Sequence, residues 1–112
     1  MKTLLALALL SSTAGAEVLL PPTRYDHQAP NVAIREIPYR QVHKACKAYF
    51  GWLARGLHNV EGCADPVARL IILPARGSVS EKKYNCLLRH EMGHILGWTA
   101  DHRGGRQLAE CH

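Results

Sequence analysis

From Asn31 to Ile37 apolar positions alternate with polar ones through Val32 and Ile34, and the run stops at Pro38. That period predicts a strand. Beyond Pro38 the spacing changes. Val42, Ala45, Cys46 and Tyr49 recur at helical offsets and Gly51 closes the run, which predicts a helix over Tyr39 to Phe50. Gly56 to Pro66 reads as a loop, and Val67 to Leu73, closed by Pro74, reads as a second strand. After a turn region at Ala75 to Ser80, Ser78 and Glu81 have capping-box spacing, with Ser80 as the other available cap. Leu88, Met92 and Ile95 then form the apolar stripe of a second helix, and Gly97 stands where a helix-ending glycine belongs. Trp98 to His112 reads as an irregular tail. No repeat or internal boundary interrupts this order. The pattern predicts one small α+β domain over residues 31–112, with two helices and two or three short strands.

Two segments precede that domain. Met1-Lys2, the apolar run Leu4 to Leu10 and the small residues Ala14-Gly15-Ala16 have the order of a signal peptide over residues 1–16. The run is far below the roughly 20 residues a membrane span needs, so export is expected and a retained anchor is not. Residues 17–30 hold Pro21, Pro22 and Pro30 with few apolar anchors and read as a poorly ordered leader.

A remainder of this size buries only a modest core and gains from staples. Its four cysteines, Cys46, Cys63, Cys86 and Cys111, are an even count in a chain expected to be exported, which predicts two disulfides. Three pairings are open. Cys46–Cys63 with Cys86–Cys111 is favoured because each joins neighbouring segments. The formal net charge is +5, but the basic residues are dispersed without aromatic interleaving, so no nucleic-acid partner is expected. A mild attraction to anionic envelope polymers is compatible with the charge. No later segment is long and apolar enough to span a membrane, and the oligomeric state is open.

The informative stretch is His90-Glu91-Met92-Gly93-His94. Histidines four apart lie on one helical face, and neutral imidazole binds zinc at about 2.0–2.1 Å. Glu91, one step around, is the candidate base that takes a proton from water and returns it to a leaving group. A catalytic zinc usually has three protein ligands. A turn at Gly97 would bring Asp101-His102 back under His94; His102 is the expected third ligand, with Asp101 as the alternative. If His102 ligates, Asp101 is a candidate to steady a ligand histidine. By composition alone HExxH should arise in about one chain of this length in several hundred.

The segment His90 to His102 resembles the metzincin zinc motif HExxHxxGxxH, and is similar to small exported proteins of Gram-negative bacteria that carry HExxHxxGW followed closely by a histidine. The resemblance implies that His90 and His94 ligate zinc, that Glu91 is the catalytic base and that Gly97 is the turn glycine. It implies a zincin-like domain. Two features depart from the metzincin pattern. Ala100 stands where its third ligand belongs, two positions before His102, and no methionine follows Met92 to form a methionine turn.

Other residues carry competing roles. Cys86, four before His90, could close a Cys-His-His-His structural zinc site, although an oxidising compartment favours its disulfide. His27, His43, His58 and His112 have no motif around them and read as surface or packing residues. Trp52, Trp98, Tyr39 and Tyr49 read as core or rim aromatics, Trp98 also as a cleft residue. Tyr84, Arg89 and Arg103 are candidate oxyanion donors. Ala68 to Leu73 is suited to a core strand or, by the zincin resemblance, to an edge strand that pairs with substrate. The expectation is a zinc hydrolase of peptide or protein substrates, with a cell-wall or other small amide as another target. The alternative is a non-catalytic zinc-stabilised envelope binding module.

Overall fold

The computed structural model describes residues 18–51 and 59–111. The predicted signal peptide, Trp52, His58 and His112 lie outside the described residues. The elements are β1 (Ala33–Ile37), α1 (Tyr39–Phe50), β2 (Cys63–Asp65), β3 (Leu70–Pro74) and α2 (Glu81–Ile95). Short 3-10 turns cover Thr23–Tyr25 and Ala109–Cys111.

The sheet order is β1-β3-β2. β1 runs parallel to β3, with Ala33 opposite Leu70 and Ile37 opposite Pro74. β2 is antiparallel to β3, with Cys63 opposite Ile72. Side chains alternate across the central strand, and the two cores follow. Ile71 and Leu73 pack with Ala64, Leu87, Met92 and Ile95 on the α2 side. Ile72 packs with Cys63, Val42 and Cys46 on the α1 side. The helices therefore lie on opposite faces of the sheet. Among the described residues the architecture is α+β with two helices, three strands and both expected disulfides. Cys46–Cys63 and Cys86–Cys111 have Cα separations of 6.1 and 5.7 Å, within the ordinary bridging range.

Five expectations need correction. Cys63 to Asp65, expected inside a loop, is the third strand; three residues are too few to show a period. The strand expected from Val67 begins at Leu70. Asp65 Oδ1 accepts the N–H groups of Val67 and Ala68 at 2.9 and 3.1 Å, folding the residues between into a turn. Ser80 is the cap of α2: its Oγ accepts the Lys83 N–H at 3.1 Å, while the Ser78 hydroxyl donates to Ala75 O. And β3 is central, so Ala68 to Leu73 supplies no edge.

The fifth correction concerns the leader, because residues 18–30 are packed. Leu20 is fully buried and exchanges backbone bonds with Arg106, donating at 2.9 Å and accepting at 2.8 Å. Asp26 accepts Arg89 Nη2 at 2.7 Å and Arg106 Nη2 at 2.5 Å. These partners stand 63 and 80 residues along the chain, beyond any local pattern. The segment is a strap across α2 and the tail.

The hydrogen bond from Arg89, opposed by burial and aided by Arg106, holds the Asp26 carboxyl below the usual carboxylate range. A folded-state pKa below the unfolded value adds stability above the unfolded value near 3.9, lost as pH falls through the folded one. Urea unfolding of wild type and Asp26→Asn is therefore expected to differ most at neutral pH, with the gap narrowing below about pH 4. A gap independent of pH would remove Asp26 from the account.

Candidate metal centre

α2 carries the first part of the site. Its Ser80 cap and first-turn Glu81 start the helix, and its end is built as a Schellman motif. Gly97 has φ of 121° and donates to His94 O at 3.2 Å, while Trp98 N–H donates to Gly93 O at 2.9 Å. The chain then reverses. His102 N–H donates to Thr99 O at 2.9 Å, and His102 itself has φ of 59°. A left-handed backbone costs a non-glycine residue about 1–2 kcal/mol. Strain of this kind is kept where the surroundings require it, often at functional sites.

The turn brings three imidazoles together. His90, His94 and His102 each offer one nitrogen, and these atoms lie within 4.8 Å of one another. The group could hold a metal ion. His90 and His94 are each 1% exposed, and Glu91 is completely buried. His90 Nδ1 lies 2.6 Å from Leu19 O, and His94 Nδ1 lies 2.8 Å from Trp98 O. A carbonyl oxygen only accepts, so both Nδ1 atoms carry the proton and both Nε2 atoms keep the lone pair a metal needs. Carbonyl partners of this type orient metal-binding imidazoles and raise their basicity. The donor chemistry fits a divalent ion; imidazole suits zinc, copper, iron and nickel.

Trp98 is the fourth ring of the cluster. It stacks on His94 at a centroid distance of 4.8 Å and an interplanar angle of 13°, and lies 5.0 Å from both His90 and His102. Its Nε1–H donates to Arg103 O at 2.8 Å. Gly62 brings the sheet to the carboxylate: a Cβ there would lie 3.2 Å from Glu91 Oε2 and 3.3 Å from Ile72 O. A side chain at that point would have to displace one of them.

Asp101 stands outside the group. Its Oδ1 accepts from Thr99 Oγ1 at 2.5 Å and from the Arg103 N–H at 3.1 Å. The Thr99 hydroxyl foremost, then that N–H, holds its carboxyl below the usual range. Neither bond reaches a histidine. Asp101 shapes the turn that delivers His102, and its expected role as an alternative ligand or as a partner steadying one is corrected accordingly. Cys86 is bonded to Cys111, so the Cys-His-His-His site does not form.

The three oxyanion candidates are engaged elsewhere. The Tyr84 hydroxyl donates to Glu36 Oε2 at 2.5 Å, Arg89 bridges Asp26 and Glu110, and Arg103 is exposed beside Asp101. His27 contacts the carbonyls of Arg24 and Gln28 at the surface. His43 Nδ1 accepts the Val60 N–H at 3.0 Å. One participant escapes the sequence reading, whereas Trp98 reads as a core or cleft aromatic. Leu19 acts through its carbonyl, which no side-chain pattern reveals. Trp98 had a signal: the residue after a helix-ending glycine often packs back on the last turn.

No protein-family model, curated protein or solved structure matches the chain.

Proposed function

We propose that the protein is an exported zinc-dependent hydrolase that cleaves peptide bonds, with Glu91 as its base. One observation carries the reading: three imidazoles converge, and the residue that follows His90 on the same helix is a completely buried carboxylate, Glu91. His90, His94 and His102 would hold the ion. When bound, zinc supplies Lewis acidity, which polarises a carbonyl and makes water nucleophilic near neutral pH. The Leu19 and Trp98 carbonyls keep two imidazoles in the Nδ1–H form, and the Trp98 ring stacks on His94. The Glu91 carboxylate takes the proton that water loses as its oxygen bonds to the scissile carbon. It then delivers that proton to the leaving nitrogen as the C–N bond breaks. The Met1 to Ala16 pattern supports export, and two disulfides fit an oxidising compartment.

Glu91→Gln is expected to retain zinc and to lower peptide turnover by about 10²–10⁴-fold. Metal analysis and cleavage of a broad peptide library measure the two quantities on one sample. Wild-type protein holding stoichiometric zinc and cleaving nothing would sink the enzyme.

A second reading has its own support in burial. His90 and His94 at 1% exposure and Glu91 at 0% suit a site closed to substrate, with the ion stabilising a small envelope binding module. In that case Glu91→Gln alters stability and leaves no activity to lose.

A further inference from the structure

The sheet face turned away from the histidines has chemistry of its own. β1 is an edge strand. Ala33 N–H donates to Arg69 O and Ile37 O accepts from Ala75 N–H, so residues 33, 35 and 37 bond inward to β3. The N–H and C=O groups of Ile34 and Glu36 accordingly point to the other edge, which no described strand covers. Ala33 to Glu36 are all exposed, Ile34 at 40%. Beside this edge, between β1 and α1, runs an open groove of about 450 Å³ lined by Arg35, Ile37, Gln41, Lys44, Ala45 and Ala48.

The charge of this face is unbalanced. α1 has no acidic residue, and among the described residues Arg35 and Lys44 form no ion pair. Elsewhere in the described residues Lys83, Arg89, Arg103 and Arg106 are each paired with a carboxylate.

We propose that the β1 edge and its groove dock an extended, acidic polypeptide segment. The segment adds a strand beside β1, and its carboxylates lie toward Arg35 and Lys44 while small apolar side chains settle over Ala45 and Ala48. Main-chain pairing supplies affinity in this mode and the groove supplies selectivity. A second copy of this chain fits poorly. Antiparallel pairing of β1 with itself about its midpoint sets Arg35 against Arg35, and like charges directly opposite are destabilising. The site lies across the sheet from the histidine cluster, so a docked segment leaves that cluster uncovered, and the inference stands apart from any reaction there.

The test titrates the full chain with a short peptide of alternating glutamate and valine, read by fluorescence anisotropy. Saturable binding that weakens with salt is expected. Arg35→Glu with Lys44→Glu should weaken it about tenfold or more, with the melting temperature unchanged because both side chains are exposed. A peptide N-methylated at alternate backbone nitrogens should not bind. Equal binding of the methylated peptide would mean diffuse attraction to any polyanion and overturns the proposal. Equal binding by the charge-reversed protein, no binding by wild type, or dimerisation of the chain through β1 overturns it too.

Discussion

Replacing His102 with alanine is expected to lower zinc affinity by more than about 100-fold, exceeding the 10–100-fold typical of losing an outer partner of a ligand. His102 is one of the three nitrogens within 4.8 Å, and its removal leaves two donors on a single helix. Stability should follow affinity. At a metal concentration of 100 Kd, binding contributes about 2.7 kcal/mol, and a hundredfold weaker site retains only about 0.4 kcal/mol of it. For a domain of this size that difference lowers the melting temperature by about 10–18 °C.

His102→Gly separates the ligand from the backbone. It loses the same nitrogen but relieves the left-handed conformation at φ of 59°. The metal-free glycine variant should therefore be about 1 kcal/mol more stable than the metal-free wild type. Titration calorimetry and thermal unfolding of the three proteins, with zinc and with chelator, check both statements. An alanine variant that binds zinc as wild type does would remove His102 from the centre.

Removing the Cys86–Cys111 bridge, with both residues changed to alanine, should have the larger effect on stability. The bridge joins the second turn of α2 to the tail across 25 residues. Constraint of the unfolded chain by a loop of that length is worth about 3.5 kcal/mol in the chain-entropy account. The expected fall in melting temperature is about 15–25 °C. The bridge also sits where other fasteners converge, because Arg89, one turn on, bonds to both Asp26 and Glu110. A fall below about 5 °C would show that these ion pairs hold the tail without the covalent link. Parallel removal of Cys46–Cys63, which closes 17 residues on the other sheet face, should leave metal affinity unchanged while it lowers stability.

How legible this was in the sequence depended on distance along the chain. α1 runs from Tyr39 to Phe50 as its period and closing glycine indicated, since a helix is specified by neighbours within a few residues. The shared face of His90 and His94 was legible for the same reason. The disulfide pairing followed from proximity of segments. What escaped detection was non-local or belonged to the backbone. β2 exists because β3 offers it a partner and Cys46 a tether, and no three-residue stretch announces that. Asp26 falls in the segment that read as a poorly ordered leader, and two arginines from distant segments close on it. The choice between Asp101 and His102 turned on one left-handed residue, and nothing in the composition of Thr99 to His102 says which side chain such a turn delivers.

The strap has a consequence for how the chain reaches its final form. Val18 N–H donates to Cys111 O at 3.3 Å, so the first and last described residues sit side by side. One imidazole is oriented by Leu19 and the helix that bears it is fastened by Cys111, so neither half of the chain can prepare the centre alone. Assembly has to wait until the segment through Cys111 has been synthesised, and contacts of such long sequence separation slow folding. The two outermost described segments must therefore meet before Leu19 can orient His90.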